Sequence, residues 1–135
     1  MNQTIRQLLD TADLLLMNTG EPAPPADTAV SAASATATAS RCRGAAFALR
    51  AALESAVADR LTAHRVPRAI REGTQRSAFL WLRCCAEAGT ARRAKAVWSQ
   101  LCLGCHYHQY EIGPTEDQVR AWHLEVAAVI ALLAR

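Results

Sequence analysis

The sequence predicts an all-α protein: a helical bundle of four long helices, preceded by a short N-terminal amphipathic helix on a flexible tether. Three observations lead there. Of the 135 residues, 51% are apolar but only 5% are aromatic. The apolar share is mostly Ala, Leu and Val, and Ala and Leu lose little on entering a helix, whereas strands prefer branched and aromatic side chains. Apolar residues also recur at helical spacing in segment after segment. Finally, helix-start residues stand ahead of several of these segments: Thr74, Thr90, and Thr115 with Gln118. A chain of this length suits one domain with its own core.

The first helix spans about residues 4 to 17, with Ile5, Leu8, Leu9, Ala12 and Leu16 on one face, and ends at Asn18-Thr19-Gly20. Residues 1–19 therefore form an N-terminal unit. Over residues 20–40 the composition turns to Pro, Ala, Ser and Thr. Pro22, Pro24 and Pro25 bar a helix at the start, and Ser and Thr compete for backbone hydrogen bonds among the later alanines, so a disordered linker is expected.

Residues 41–135 are assigned to the bundle. Its first helix runs from about Arg43 to His64 on a seam of Leu49, Leu53, Val57 and Leu61, with Arg50 and Arg60 off that seam. Pro67 interrupts, and a short turn or helix from Arg68 to Glu72 stops at Gly73. Thr74 then caps a helix over about residues 75–88, carrying Ala78, Leu80, Trp81, Leu82, Cys84 and Cys85 and closing at Gly89. Thr90 is expected to cap the next helix, through Cys105, with a Val97/Trp98/Leu101 stripe. Thr115 and Gln118 have capping-box spacing and open the last helix, which runs to about Ala134 on Val119, Trp122, Val126, Ile130 and Leu133.

The net charge of +3 hides an asymmetry. Residues 41–95 hold twelve Lys and Arg against four acids, a net +8, between flanks of −3 and −2. Such a block points to a face that meets an anionic partner. Arg65, Arg68, Arg71 and Arg76, clustered around the Pro67 break, are the candidate contacts for nucleic acid or an acidic protein.

The chemically unusual residues gather where the last two helices join. The connector His106-Tyr107-His108-Gln109-Tyr110-Glu111 has more hydrogen-bonding capacity than a turn needs. His106 and His108 are the candidate catalytic residues, and Tyr110 and Glu111 complete a polar cluster. Cys102-Leu103-Gly104-Cys105-His106 matches the c-type haem attachment pattern, but that chemistry requires export, and the start of the chain shows no basic, apolar leader. Zinc held by Cys102, Cys105, His106 and His108 is a further alternative, weakened because a structural site usually pairs two separated knuckles. No cofactor or metal is assigned. An odd count of five cysteines favours reduced thiols acting as small buried hydrophobes, as at Cys42, Cys84, Cys85 and Cys102, and a cytoplasmic setting.

From Trp98-x-x-Leu101 through Cys105-His106-x-His108-x-Tyr110-Glu111 to Pro114-Thr115 and Val119-x-x-Trp122, the sequence resembles uncharacterised small helical proteins of high-GC actinobacteria. The same layout is similar to the end of HEPN-type helical bundles. That resemblance implies a homodimer, RNA as partner, and a His acting as acid or base in strand cleavage. The Arg expected a few residues before that His is missing, since Ser99, Gln100 and Leu101 precede His106 at that spacing and Leu101, Cys102 and Leu103 precede His108. The expectation from sequence is thus a small cytosolic helical binding or regulatory module without a demonstrable catalytic set, its partner a protein or RNA and not a membrane. A HEPN-like RNA-binding or RNA-cleaving protein and a zinc-stabilised module are the alternatives.

Overall fold

The structure, a computed structural model, describes residues 1–17, 28–106 and 112–135, the side chains of 28–32 excepted. Among the described residues there are six helices and no strand: α1 (Gln3–Met17), α2 (Thr28–Ala63), α3 (Arg68–Arg71), α4 (Gln75–Cys85), α5 (Ala88–Cys105) and α6 (Glu116–Leu133). None of the helices is long and apolar enough to cross a membrane.

α2 touches every other helix. It can do so because its Leu49, Leu53, Val57 and Leu61 are fully buried and its other inward positions are small: Ala45, Ala46, Ala48, Ala52 and Ala56 let neighbours approach from several sides. Phe79 and Leu82 of α4, Leu101 of α5, and Val119, Val126 and Ile130 of α6 close the core around it. α1 lies mainly along α2, burying Ile5, Leu9, Ala12 and Leu16. It is also tied to α6, where the Arg120 guanidinium donates to the Leu16 carbonyl at 3.1 Å. Trp122 of α6 packs over α5 at Gly104, where a Cβ would stand 2.8 Å from its ring.

One boundary differs from the sequence expectation by several turns. α2 begins at Thr28 instead of near Arg43, so the second half of the expected disordered linker is helix; the first half, through residue 27, lies outside the described residues. The hydroxyl of Thr38 does bond the backbone, donating to the Ser34 carbonyl one turn back at 3.0 Å, but it does so within the helix and does not break it. Residues 33–40 are nearly all exposed. This stretch owes its helix to the propensity of alanine and to continuity with a buried helix, not to burial of its own.

At its other end α2 closes in a Schellman motif. The Val66 amide donates to the Leu61 carbonyl and the Arg65 amide to the Thr62 carbonyl, both at 3.0 Å. Arg65 sits at φ 54°, in the left-handed region, and Val66 is buried. A side chain at that φ is strained. Arg65→Gly is therefore expected to raise the unfolding free energy by up to about 1 kcal/mol, read as a higher urea midpoint.

Thr74 caps α4, accepting from the Ser77 amide at 3.2 Å, and α4 ends at Cys85, where Arg60 Nε donates to the Cys85 carbonyl at 2.7 Å. α5 starts sooner than expected because its cap is Glu87, not Thr90. The carboxylate accepts from the amides of Gly89 at 2.9 Å and Thr90 at 3.1 Å, satisfying two of the donors that a helix start leaves open. Thr90 is buried inside the first turn. At α6 the expected capping box is present: Thr115 Oγ1 accepts from the Gln118 amide, and Gln118 Oε1 from the Thr115 amide.

Two carboxylates give the fold an acid limit. The backbone amides of Gly89 and Thr90 hold Glu87 below its ordinary pKa of 4.5, and the two-pronged Arg93 pair, at 2.8 and 2.9 Å, does the same for Glu125. A carboxyl lowered in the folded state stabilises it above the unfolded pKa and loses that contribution as pH falls through the folded value. Melting temperature should drop as pH falls below 4.5. Glu87→Gln with Glu125→Gln should flatten that drop in thermal melts.

Candidate functional site

Two helical ridges build the site. On α2, Arg43, Phe47, Arg50 and Glu54 follow one another at helical spacing and so share a face; on α5, Trp98, Cys102 and Cys105 do the same, with His106 as the helix C-cap. The ridges run past each other in opposite directions, so Glu54 meets Trp98 at the inner end and Phe47 meets His106 at the outer end.

At the inner end, Trp98 Nε1 donates to Glu54 Oε1 at 2.9 Å, while its ring stacks on Phe79 with centroids 4.8 Å apart. The same Glu54 oxygen accepts from Arg50 Nε at 3.0 Å, in an ion pair whose side chains are only 26% and 19% exposed. Burial works against the charge on Arg50, yet the bond and the charge of Glu54 hold its pKa above the ordinary value. Arg50 Nη1 then reaches His106 Nε2 at 3.0 Å. A guanidinium has only donors, so this is a hydrogen bond when Nε2 is the acceptor and the imidazole proton sits on Nδ1. At the outer end the Phe47 ring meets His106 edge-on at 6.3 Å and lies under the Arg43 guanidinium at 5.7 Å. A chain of contacts thus leads from the core, through Trp98, Glu54 and Arg50, to an exposed imidazole.

The cysteines beside this chain are poor nucleophiles. Burial pushes the thiols of Cys102 and Cys105 up, and the charge of Arg50 only partly offsets it. Cys42 and Cys85 are buried and pushed up likewise. Cys84 departs from the expectation: it is exposed on α4. Among the described residues no group of three His, Cys, Asp or Glu could hold a metal ion.

Of the expected site residues, His106 is placed and partnered. His108, Tyr110 and Glu111 lie outside the described residues. Arg65, Arg68 and Arg71 surround the turn between α2 and α4, and the side chains of Arg68 and Arg71 are committed locally. Arg65 is the left-handed cap, Arg68 pairs with Glu72 at 2.7 Å, and Arg71 Nε donates to the Val66 carbonyl at 2.9 Å. Arg76 stands apart on α4. Arg43, Phe47, Arg50 and Glu54 were not singled out from sequence. Their own spacing was the signal, because it sets a polar ridge beside the Leu49/Leu53 seam.

No known family, curated protein or solved structure matches the chain.

Proposed function

We propose that the protein is a small cytoplasmic helical binding module, with α2, α4, α5 and α6 as its bundle and α1 as an added amphipathic helix, and that it engages a phosphate-bearing partner at the Arg50–His106 face. The observation behind this is the 3.0 Å contact between Arg50 and His106. Glu54 fixes the guanidinium, and what the pair has left to offer is donors: the remaining Arg50 N–H groups and the His106 Nδ1–H. Convergent donors suit a phosphate oxygen. A general base, in contrast, needs a free lone pair within reach of the substrate proton, and the Nε2 lone pair is engaged by Arg50.

RNA is the probe that tests this. Anisotropy of a labelled single strand should show binding that weakens steeply as salt rises, by counterion release. Arg50→Ala and His106→Ala should each reduce affinity by about tenfold, the equivalent of one charge-assisted hydrogen bond. Absence of binding at low ionic strength, or variants that bind like the wild type, would refute the reading. RNA cleavage is a second reading: Arg50 from α2 stands beside His106, where the HEPN-like layout lacks an Arg, and the imidazole would then act as an acid through Nδ1–H and not as a base. It prevails if the wild type shortens the strand and a folded His106→Ala does not.

A further inference from the structure

α4 packs inward through Ala78, Phe79, Leu82 and Cys85. Its outer side is unusual for a helix on the surface of a small protein. Arg76, Leu80 and Arg83, at i, i+4 and i+7, form one exposed ridge, with Trp81 and Cys84 beside it. Leu80 is 48% exposed and Trp81 39%. Adjacent large apolar residues left this open are more than the scattered singles every surface has. α4 contains no acidic residue. Arg76 and Arg83 make no hydrogen bond or ion pair among the described residues, unlike Arg50, Arg60, Arg68, Arg71, Arg93 and Arg120. The ridge is therefore an apolar centre between two uncommitted cations about 10 Å apart along the axis.

We propose that this face of α4 is a docking surface for an acidic amphipathic helix of a partner protein. The charges select that occupant. A second copy of the chain laid along the same ridge would set arginines against arginines, which costs affinity. Nucleic acid would use the two guanidiniums, but it has no use for Leu80, and two cations give little of the counterion release that carries such binding. A helix with an apolar stripe covers Leu80 and Trp81 as the dry centre, and carboxylates about two turns apart along it meet Arg76 and Arg83 at the rim. None of these residues belongs to the Arg50–His106 face, so the two surfaces stand or fall separately.

The test is selection of phage-displayed helical peptides on the full-length protein, followed by titration of one synthetic winner. Winners should carry Asp or Glu about two turns apart flanking Leu, Phe or Trp. Arg76→Glu with Arg83→Glu, on an exposed face and checked for unchanged circular dichroism, should weaken the winner by more than about tenfold. A peptide with Lys in place of the acids should recover binding to that charge-reversed protein. Leu80→Ala, which leaves the charges untouched, should also weaken it. The proposal is overturned if the winners show no excess of acid, if the charge-reversed protein binds them like the wild type, or if single-stranded RNA or dimerisation of the chain competes for the same face.

Discussion

Trp98→Ala is expected to lower the unfolding free energy by about 3 kcal/mol, the lower end of the range for large aromatic truncations, because the ring is only partly buried. Three losses combine. The stack on Phe79 at 4.8 Å is removed, which loosens α4 from α5. The volume vacated lies against the buried Phe79 ring, and surrounding core side chains relax only partly into such a cavity. Glu54 loses its Nε1–H donor at 2.9 Å while keeping Arg50. Trp98→Phe separates these contributions, since it keeps a ring to stack and removes the N–H, and should cost about 1 kcal/mol. Urea melts of the two variants check both figures. A Trp98→Ala protein within about 1 kcal/mol of wild type would mean that α4 does not depend on this stack.

The helices that bury a regular apolar face were legible in the sequence. Leu49, Leu53, Val57 and Leu61 mark α2, Val119, Val126 and Ile130 mark α6, and all are buried. The capping box at Thr115 was legible because its two side chains are local partners. Boundaries failed where propensity or a competing cap decided them. Alanine extends α2 back to Thr28, with no buried anchor among residues 33–40, and Glu87 preempts Thr90 because a carboxylate can take two amides of a helix start at once. Leu80 and Trp81 were placed on α4 by the sequence, which did not show which way they face: their positions around the helix turn them outward. His106 could be singled out as a chemically unusual residue, but its partner could not. Arg50 lies 56 positions away in the chain, and pairing across that distance depends on how two helices pass each other, which periodicity within either one does not encode.

That crossing also sets how Arg50 meets the imidazole. An Arg on the same helix as the His would approach it along one helix face, whereas Arg50 comes from the opposing helix and is gripped from behind by Glu54. A gripped guanidinium has already lost part of the side-chain freedom that binding would otherwise remove. The position of Arg50, and hence of any ligand it holds, then depends on Glu54 as much as on Arg50 itself.

Glu54→Ala should reveal this dependence through two readouts, stability and affinity, the second moving against what simple electrostatics would predict. Stability should fall by about 2–3 kcal/mol, because the Trp98 N–H and the Arg50 guanidinium both lose their acceptor in a half-buried site. Glu54→Gln should lose less, since its amide oxygen still accepts from one of them. The second readout is affinity for single-stranded RNA, measured at a temperature where both variants are folded. Removing a carboxylate makes the protein more basic, and if summed charge alone governed binding, affinity would rise. If Arg50 must be held in place to meet a phosphate, affinity should fall in Glu54→Ala despite the added positive charge, with Glu54→Gln between it and the wild type. A rise in affinity in both variants would leave the basic segment as a diffuse attractor and remove the Arg50–His106 pair as a defined site.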